Sequence, residues 1–254
     1  PGAGSDALGI STKAFRDGDL WVINGVKQFI SHADIADFIV LIAVTGVDET
    51  ERGPRKRFTA FLLDKDLPGL RVEPMKSIVT RGYNPTMVYL ENVRVHCDDI
   101  LGEEGKGFDT ANEWLYDGRV ALAAHCVGRA ERIFEMTKEW AGTRKAFGKT
   151  IGEFQGVGFK VANMAVDLKL GDLMVKEAAW KIENQTMNRT EASMVNYWCS
   201  EMVFRVADDA VQIFGGMGVM EDFPIQRFWR DARIGRIWEG TSEVHLVIFA
   251  RDLL

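Results

Sequence analysis

Polar and apolar residues alternate through the first part of the chain and fall into helical spacing through the rest. Asp17-Gly-Asp19 reads as a hairpin turn, and Leu20-Trp-Val-Ile23 followed by Asn24-Gly25 as a strand and a second turn. Val26 to Ser31 alternates, whereas Phe38 to Val44 is an unbroken apolar run that suits a buried strand. Phe58 to Leu63, Leu70 to Val72 and Met87 to Val95 extend the series, with Pro-Gly and Asn-Pro signals between them. Short strands so spaced over residues 12–98 predict a small antiparallel sandwich or barrel.

The period changes near residue 105. Leu115, Leu122, Cys126, Ala130, Ile133, Met136 and Trp140 share one helical face and predict a long helix over 106–142. Val157 to Ile182 and Val195 to Ile213 repeat that spacing in two further helices, and a shorter one begins near Thr241. Four helices with connections of about 6 to 25 residues make an antiparallel bundle the simplest arrangement. The chain thus reads as α+β, a β domain over 1–104 followed by a helical domain over 105–254, without repeats or low-complexity segments.

Composition narrows the function classes. A chain of 254 residues, 46% hydrophobic and 27% charged, suits a folded globular protein. The net charge of −6 leaves no basic surplus for nucleic-acid phosphates. The local basic run Arg52-Gly-Pro-Arg-Lys-Arg57 reads as a solvated loop. Cys97, Cys126 and Cys199 form no CxxC pair, so their spacing indicates neither a disulfide framework nor a zinc site, and a reducing compartment fits. No apolar stretch reaches the length of about 18 residues that a membrane span requires.

Several segments carry candidate chemistry. Glu239 follows Ile237-Trp238 and precedes Gly240, with Thr241 and Ser242 available to cap a helix. A carboxyl held against an aromatic ring, with glycine leaving room for a ligand, is a candidate proton acceptor; the plain alternative is a surface acid before a capped helix. The opening loop Pro1-Gly-Ala-Gly-Ser-Asp6 could offer backbone N–H groups and the Ser5 hydroxyl to a phosphate, or be a simple turn. Alternation turns Phe29 inward as core. Arg144-Lys-Ala-Phe-Gly148 presents a planar fork suited to phosphate, or merely a basic helix end. Gln212-Ile-Phe-Gly-Gly216 is a helix stop, and Arg251 a helix-end cation. In Tyr116-Asp-Gly-Arg119 the arginine, among apolar neighbours, is either a paired core charge or a group facing a pocket.

Together these motifs resemble the acyl-CoA dehydrogenases, and the resemblance covers nearly the whole chain. Residues 212–244 are similar to that family's C-terminal signature, with Glu239 on its catalytic base. The resemblance implies that Gly4 and Ser5 lie against FAD and the acyl-CoA. Phe29-Ile-Ser31 stands where Trp-Ile-Thr is usual beside the isoalloxazine, with Ser31 keeping a hydroxyl. Arg144, Phe147, Phe154 and Gln155 fall on contacts to the cofactor of a neighbouring subunit, and Gln212, Gly215 and Gly216 on the adenosine side of FAD. Thr241 and Glu243 fall on the turn that contacts the cofactor, although Glu243 replaces a common glutamine. Tyr116, Arg119, Gly240 and Arg251, with Ser5, fall on the acyl-CoA side. Gly118 occupies the place where a minority of members carry the base, so this chain resembles the C-terminal-base type.

The implied reaction is α,β-dehydrogenation of an acyl-CoA thioester, the α-proton passing to Glu239 and the β-hydride to flavin N5. Electrons then pass to an electron-transfer flavoprotein. A dry pocket lined by Trp238 would raise the Glu239 pKa. The resemblance further implies a homotetramer or homodimer, in the cytoplasm or a mitochondrial matrix. The opening motif sits mid-chain in the family, after an N-terminal helical domain, so the sequence reads as a fragment. Competing expectations are a flavin-dependent acyl-CoA oxidase or desulfinase of the same fold, a monooxygenase (which Glu239 weighs against), and a non-catalytic subunit. No metal is expected.

Overall fold

The structure, a computed structural model, describes residues 2–51 and 53–254 apart from the Glu113 side chain. Pro1 and Arg52, which the readings of the opening loop and of the basic run 52–57 include, lie outside them. The chain divides into two compact units, 1–114 and 115–254.

The first unit is one curled sheet. Its strands are β1 (Lys13–Asp17), β2 (Leu20–Ser31), β3 (Phe38–Thr50), β4 (Gly53–Asp64), β5 (Leu70–Pro74), β6 (Pro85–His96) and β7 (Ile100–Leu101), in the order β5-β6-β2-β1-β3-β4-β7. All neighbours are antiparallel except β1 and β3, joined in parallel through Lys13 and Val44. Trp21, Ile23, Leu41, Phe61, Leu63, Val88, Leu90 and Val93 fill the core, with the Trp21 and Phe61 rings edge to face at 5.7 Å. Alternation serves this one buried face.

Three readings of this unit change. Asn24-Gly25 is not a turn: β2 runs through it with a register shift, and a side chain at Gly25 would stand 2.8 Å from Thr12 Cα. Close backbone approach, not chain reversal, explains that glycine. Phe38 to Val44 is buried on alternate residues only, with Phe38 and Val40 exposed. Residues 53–57 are strand, not loop. They pair with β3 from Thr50↔Gly53 to Gly46↔Arg57, while β7 meets β4 only at Ala60 and Phe61, so Pro54 lies on an edge.

The second unit is built on α1 (Gly107–Thr143) from Leu115 onward, α2 (Gln155–Glu183), α3 (Arg189–Phe214) and α5 (Ser242–Leu253), all at the expected places, plus a short α4 (Ile225–Ala232) that periodicity misses. α4 spans only two turns, too few for a repeat to register. Helix α3 is central: Val195, Cys199, Met202, Val206, Ala210 and Ile213 are buried along it. Asn188 caps its start through Glu191 N–H, and Gly215, at φ 62, closes its end. No helix among the described residues is long and apolar enough to cross a membrane.

Candidate active site

Within the helical unit, Glu239 sits in a turn between a 3-10 segment (Arg233–Arg236) and α5. The turn is conformationally demanding: Glu239 has φ 56 and Gly240 φ 103. A non-glycine residue held there costs of order 1–3 kcal/mol, which neighbouring packing must sustain. Two anchors do so. Thr241 caps α5 by accepting from Val244 N–H at 3.2 Å. Buried Ser242 donates to Glu201 Oε1 at 2.5 Å, and the same oxygen accepts from Arg236 Nε at 2.7 Å. Neither Glu201 nor Arg236 stands out in sequence, because the contact joins residues far apart in the chain.

The Glu239 carboxylate faces α1. A methyl group at Gly118 would stand 3.6 Å from Glu239 Oε2, so the two alternative base positions of the resemblance converge on one spot. Beside it Arg119 is 6% exposed, its Nη1 donating to Ser193 Oγ at 3.2 Å. Burial above all, then nearby Arg189, pull the guanidinium pKa down, while Glu239 and Tyr116 support its charge. The choice left open for Arg119 resolves into a buried cation beside the candidate base. One expectation is corrected: Glu239 is exposed to solvent, and Trp238 packs against the helical core instead of drying the carboxylate.

His245, fully buried on α5, completes the cluster. Its ring would meet any side chain at Gly240 at 3.2 Å, so it fixes how closely the turn packs. Burial, then the Arg119 charge, push the imidazole down from 6.5 to about 4. The stability it contributes as a neutral ring is therefore complete above about pH 6.5 and is lost as pH falls through about 4, a difference of about 3 kcal/mol. His245→Gln is expected to remove this acid sensitivity. In denaturant unfolding, the advantage of parent over variant should shrink between pH 6.5 and 4; a pH-independent difference would contradict the assignment.

The other sequence-derived candidates lie apart from this turn. Phe147, at φ 51, and Gly148, at φ 82, form the tip of a small hairpin of β8 (Lys145–Ala146) and β9 (Lys149–Thr150) directly after α1. Phe147 is 95% exposed and touches the Phe154 ring edge to face. Arg144 and Gln155 flank them, exposed. Gln212, Gly215 and Gly216 are exposed at the end of α3, and nothing approaches the glycines within 4 Å of a would-be side chain. Glu243 is exposed; its own backbone N–H and the Thr241 hydroxyl hold its carboxyl below the usual range. Arg251 is exposed in the last turn of α5, and Tyr116 half-buried on α1.

In the β unit, Phe29 corrects the inward reading. A register shift between Gln28 and Ile30 inserts it as an extra residue at φ 61, and it stands 68% exposed. Ser31 hydrogen-bonds Tyr83 through their hydroxyls. Gly4 and Ser5 precede a short 3-10 turn, Ala7–Gly9, and Ser5 is exposed. Lys56 pins this loop by donating to Ile10 O at 3.0 Å, a role the basic run does not advertise.

Taken unit by unit, these features fit parts of a flavin dinucleotide: in the β unit an outward aromatic at a bulge could meet a flat ring system, and in the helical unit an arginine beside an exposed phenylalanine and open glycines at a helix end could meet phosphate and a close backbone approach.

The chain is similar to known proteins over its whole length. The family profile "Acyl-CoA dehydrogenase, C-terminal domain" matches residues 105–254, and "Acyl-CoA dehydrogenase, middle domain" matches residues 1–93. A 3-(aryl)acrylate reductase of Clostridium sporogenes is 39% identical over all of this chain and 67% of its own length. An (R)-benzylsuccinyl-CoA dehydrogenase of Thauera aromatica is 41% identical over all of this chain and 62% of its own. The crystal structure of acyl-CoA dehydrogenase from Geobacillus kaustophilus superposes with TM-score 0.93 at 36% identity, over all of this chain and 66% of that one. The chain thus spans about three fifths to two thirds of the length of such relatives.

Proposed function

Because this chain belongs to the acyl-CoA dehydrogenase family, whose members are FAD-dependent, we propose that it carries the base and cofactor contacts of an enzyme that dehydrogenates an acyl-CoA thioester at its α and β carbons. The observation that carries this reading is the convergence of Glu239 and Gly118 on one place beside buried Arg119.

Glu239 takes the α-proton. Its strained turn points the carboxylate at α1, beside the buried Arg119 cation. Gly240 keeps the backbone close to the thioester, and the Glu239 N–H is the chain's donor to the thioester oxygen, where charge develops as the α-carbon is deprotonated. A single such donor is worth about 3 kcal/mol. Phe29 and Ser31 would hold the flavin ring, Arg144 and Phe147 the pyrophosphate side of a neighbouring copy's cofactor, and Gln212 with Gly215 and Gly216 its adenosine side. Bound FAD supplies the acceptor for the β-hydrogen and its electron pair. Glu243, committed to its own helix end, contributes backbone contact only.

A neighbouring copy is part of this proposal. Phe159, Val166, Leu170, Leu173 and Trp180 form an exposed apolar stripe along α2, at spacings that keep one helical face. That face suits an interface with another copy of this chain in a dimer or tetramer.

The test is anaerobic mixing of the FAD-loaded protein with straight-chain, branched and aryl-substituted acyl-CoAs. The flavin of a dehydrogenase bleaches with at least one of them, and addition of an electron-transfer flavoprotein restores its colour. No bleaching with any thioester would reject the reading, and reoxidation by O₂ with peroxide release would identify the oxidase alternative.

A further inference from the structure

At the end of β6, well away in sequence from the base and cofactor segments, three different metal-binding side chains meet. His96 Nδ1, Cys97 Sγ and an Asp98 carboxylate oxygen all lie within 4.8 Å of one another. We propose that His96, Cys97 and Asp98 form a binding site for one zinc-type divalent cation.

The geometry matches the ion. The Cys97 sulfur is 3.9 Å from His96 Nδ1 and 3.8 Å from Asp98 Oδ1, and His96 Nδ1 is 3.2 Å from Asp98 Oδ2. A tetrahedral zinc with ordinary bond lengths places nitrogen and sulfur, or oxygen and sulfur, about 3.6 Å apart and nitrogen and oxygen about 3.4 Å apart. Sulfur and nitrogen thus stand near the spacing of two tetrahedral ligands, each with one of the two Asp98 oxygens close by, and one donor atom from each of the three residues lies within 4.8 Å of the others. The fourth position faces solvent, since the His96 and Asp98 side chains are exposed.

The backbone holds this face in place without the ion. Cys97 N–H donates to Asp19 O at 2.9 Å, and His96 N–H to Asp99 Oδ2 at 3.2 Å. Strand pairing anchors both sides of the 3-10 turn Cys97–Asp99, His96 against Leu20 and Ile100 against Phe61. Asp99 is thus taken by the backbone, whereas the Asp98 carboxylate faces the cluster. His96 Nδ1 accepts from Asp98 N–H at 3.3 Å, so it is the unprotonated ring nitrogen, and a bound cation would take its lone pair from that hydrogen bond.

The donor set selects the cation. Imidazole, thiolate and carboxylate together suit zinc and its neighbours, not the all-oxygen preference of calcium or magnesium. Thiolate and carboxylate supply two negative charges, which balance a dication. Cys97 is half-buried at the edge of the β core, while burial pushes the other two thiols, Cys126 and Cys199, up to about 11 and about 12. No spacing rule flags the group, because a tight turn gathers three consecutive residues instead of two separated pairs. On binding, a sulfur–metal bond replaces the Cys97 S–H bond and the proton leaves to solvent.

The experiment is calorimetric titration of the reduced, chelator-treated protein with Zn²⁺, in two buffers of different ionisation enthalpy. One equivalent should bind with release of a proton, and Zn²⁺ should protect Cys97 from alkylation. Cys97→Ser is expected to weaken binding by at least about tenfold. Asp98→Asn, at an exposed position, should do the same, and so should His96→Gln, whose fold is checked by thermal unfolding because His96 also caps the local turn. Absence of stoichiometric binding, or binding undiminished in all three variants, would overturn the site.

Discussion

Glu239→Gln is expected to slow flavin reduction by an acyl-CoA by about 10²–10⁴-fold while the protein keeps its FAD. Glutamine preserves the size and shape of the side chain, so the turn at φ 56 and the packing of Gly240 on His245 are undisturbed; only the proton acceptor is lost. Stopped-flow absorbance of the flavin measures the effect, and a rate within a few-fold of the parent would remove Glu239 from the reaction. The Gly118 geometry extends the prediction. Glu239→Gln combined with Gly118→Glu should recover part of the rate, because a side chain at 118 starts 3.6 Å from the lost carboxylate oxygen and meets nothing else within 4 Å. A double variant no faster than the single one would mean that the two positions do not serve a common point.

Arg144→Ala is expected to loosen FAD by about 10- to 100-fold, the value of one charge-assisted hydrogen-bond set to phosphate. The side chain is exposed, and its nearest aromatic neighbour is the Trp140 ring, 5.9 Å from the guanidinium carbon, so little of the fold depends on it. Titration of flavin-free protein with FAD, followed by fluorescence quenching, gives the affinity. Arg144→Lys should fall between parent and alanine variant, keeping charge but not the planar fork. Unchanged affinity in the alanine variant would assign Arg144 to the helix end alone.

Much of this was legible in the sequence because it rests on local pattern. The face of α3 from Val195 to Ile213 is a repeat that any helix of that length must bury, and Thr241 announces a cap in its own residue type. Glu239 was legible for a different reason, the resemblance of a whole segment. What escaped depends on partners far along the chain. One inserted residue at Phe29 breaks a two-residue alternation, and nothing in Gln28-Phe29-Ile30 signals the insertion. Asn24-Gly25 carries a strong turn signal, yet Thr12 needs the space of that glycine and the strand continues. His245, Arg119 and Ser193 come from three helices, and their meeting beside Glu239 has no trace in spacing.

The central claim, that the Glu239 carboxylate removes the α-proton, is tested most directly by exchange in D₂O. The FAD-loaded protein is incubated with an acyl-CoA that has α-hydrogens but no transferable β-hydrogen, and deuterium at the α-carbon is followed by mass spectrometry. The parent should exchange the α-proton, and Glu239→Gln should do so at least about 100-fold more slowly. Equal exchange by both proteins would contradict the account.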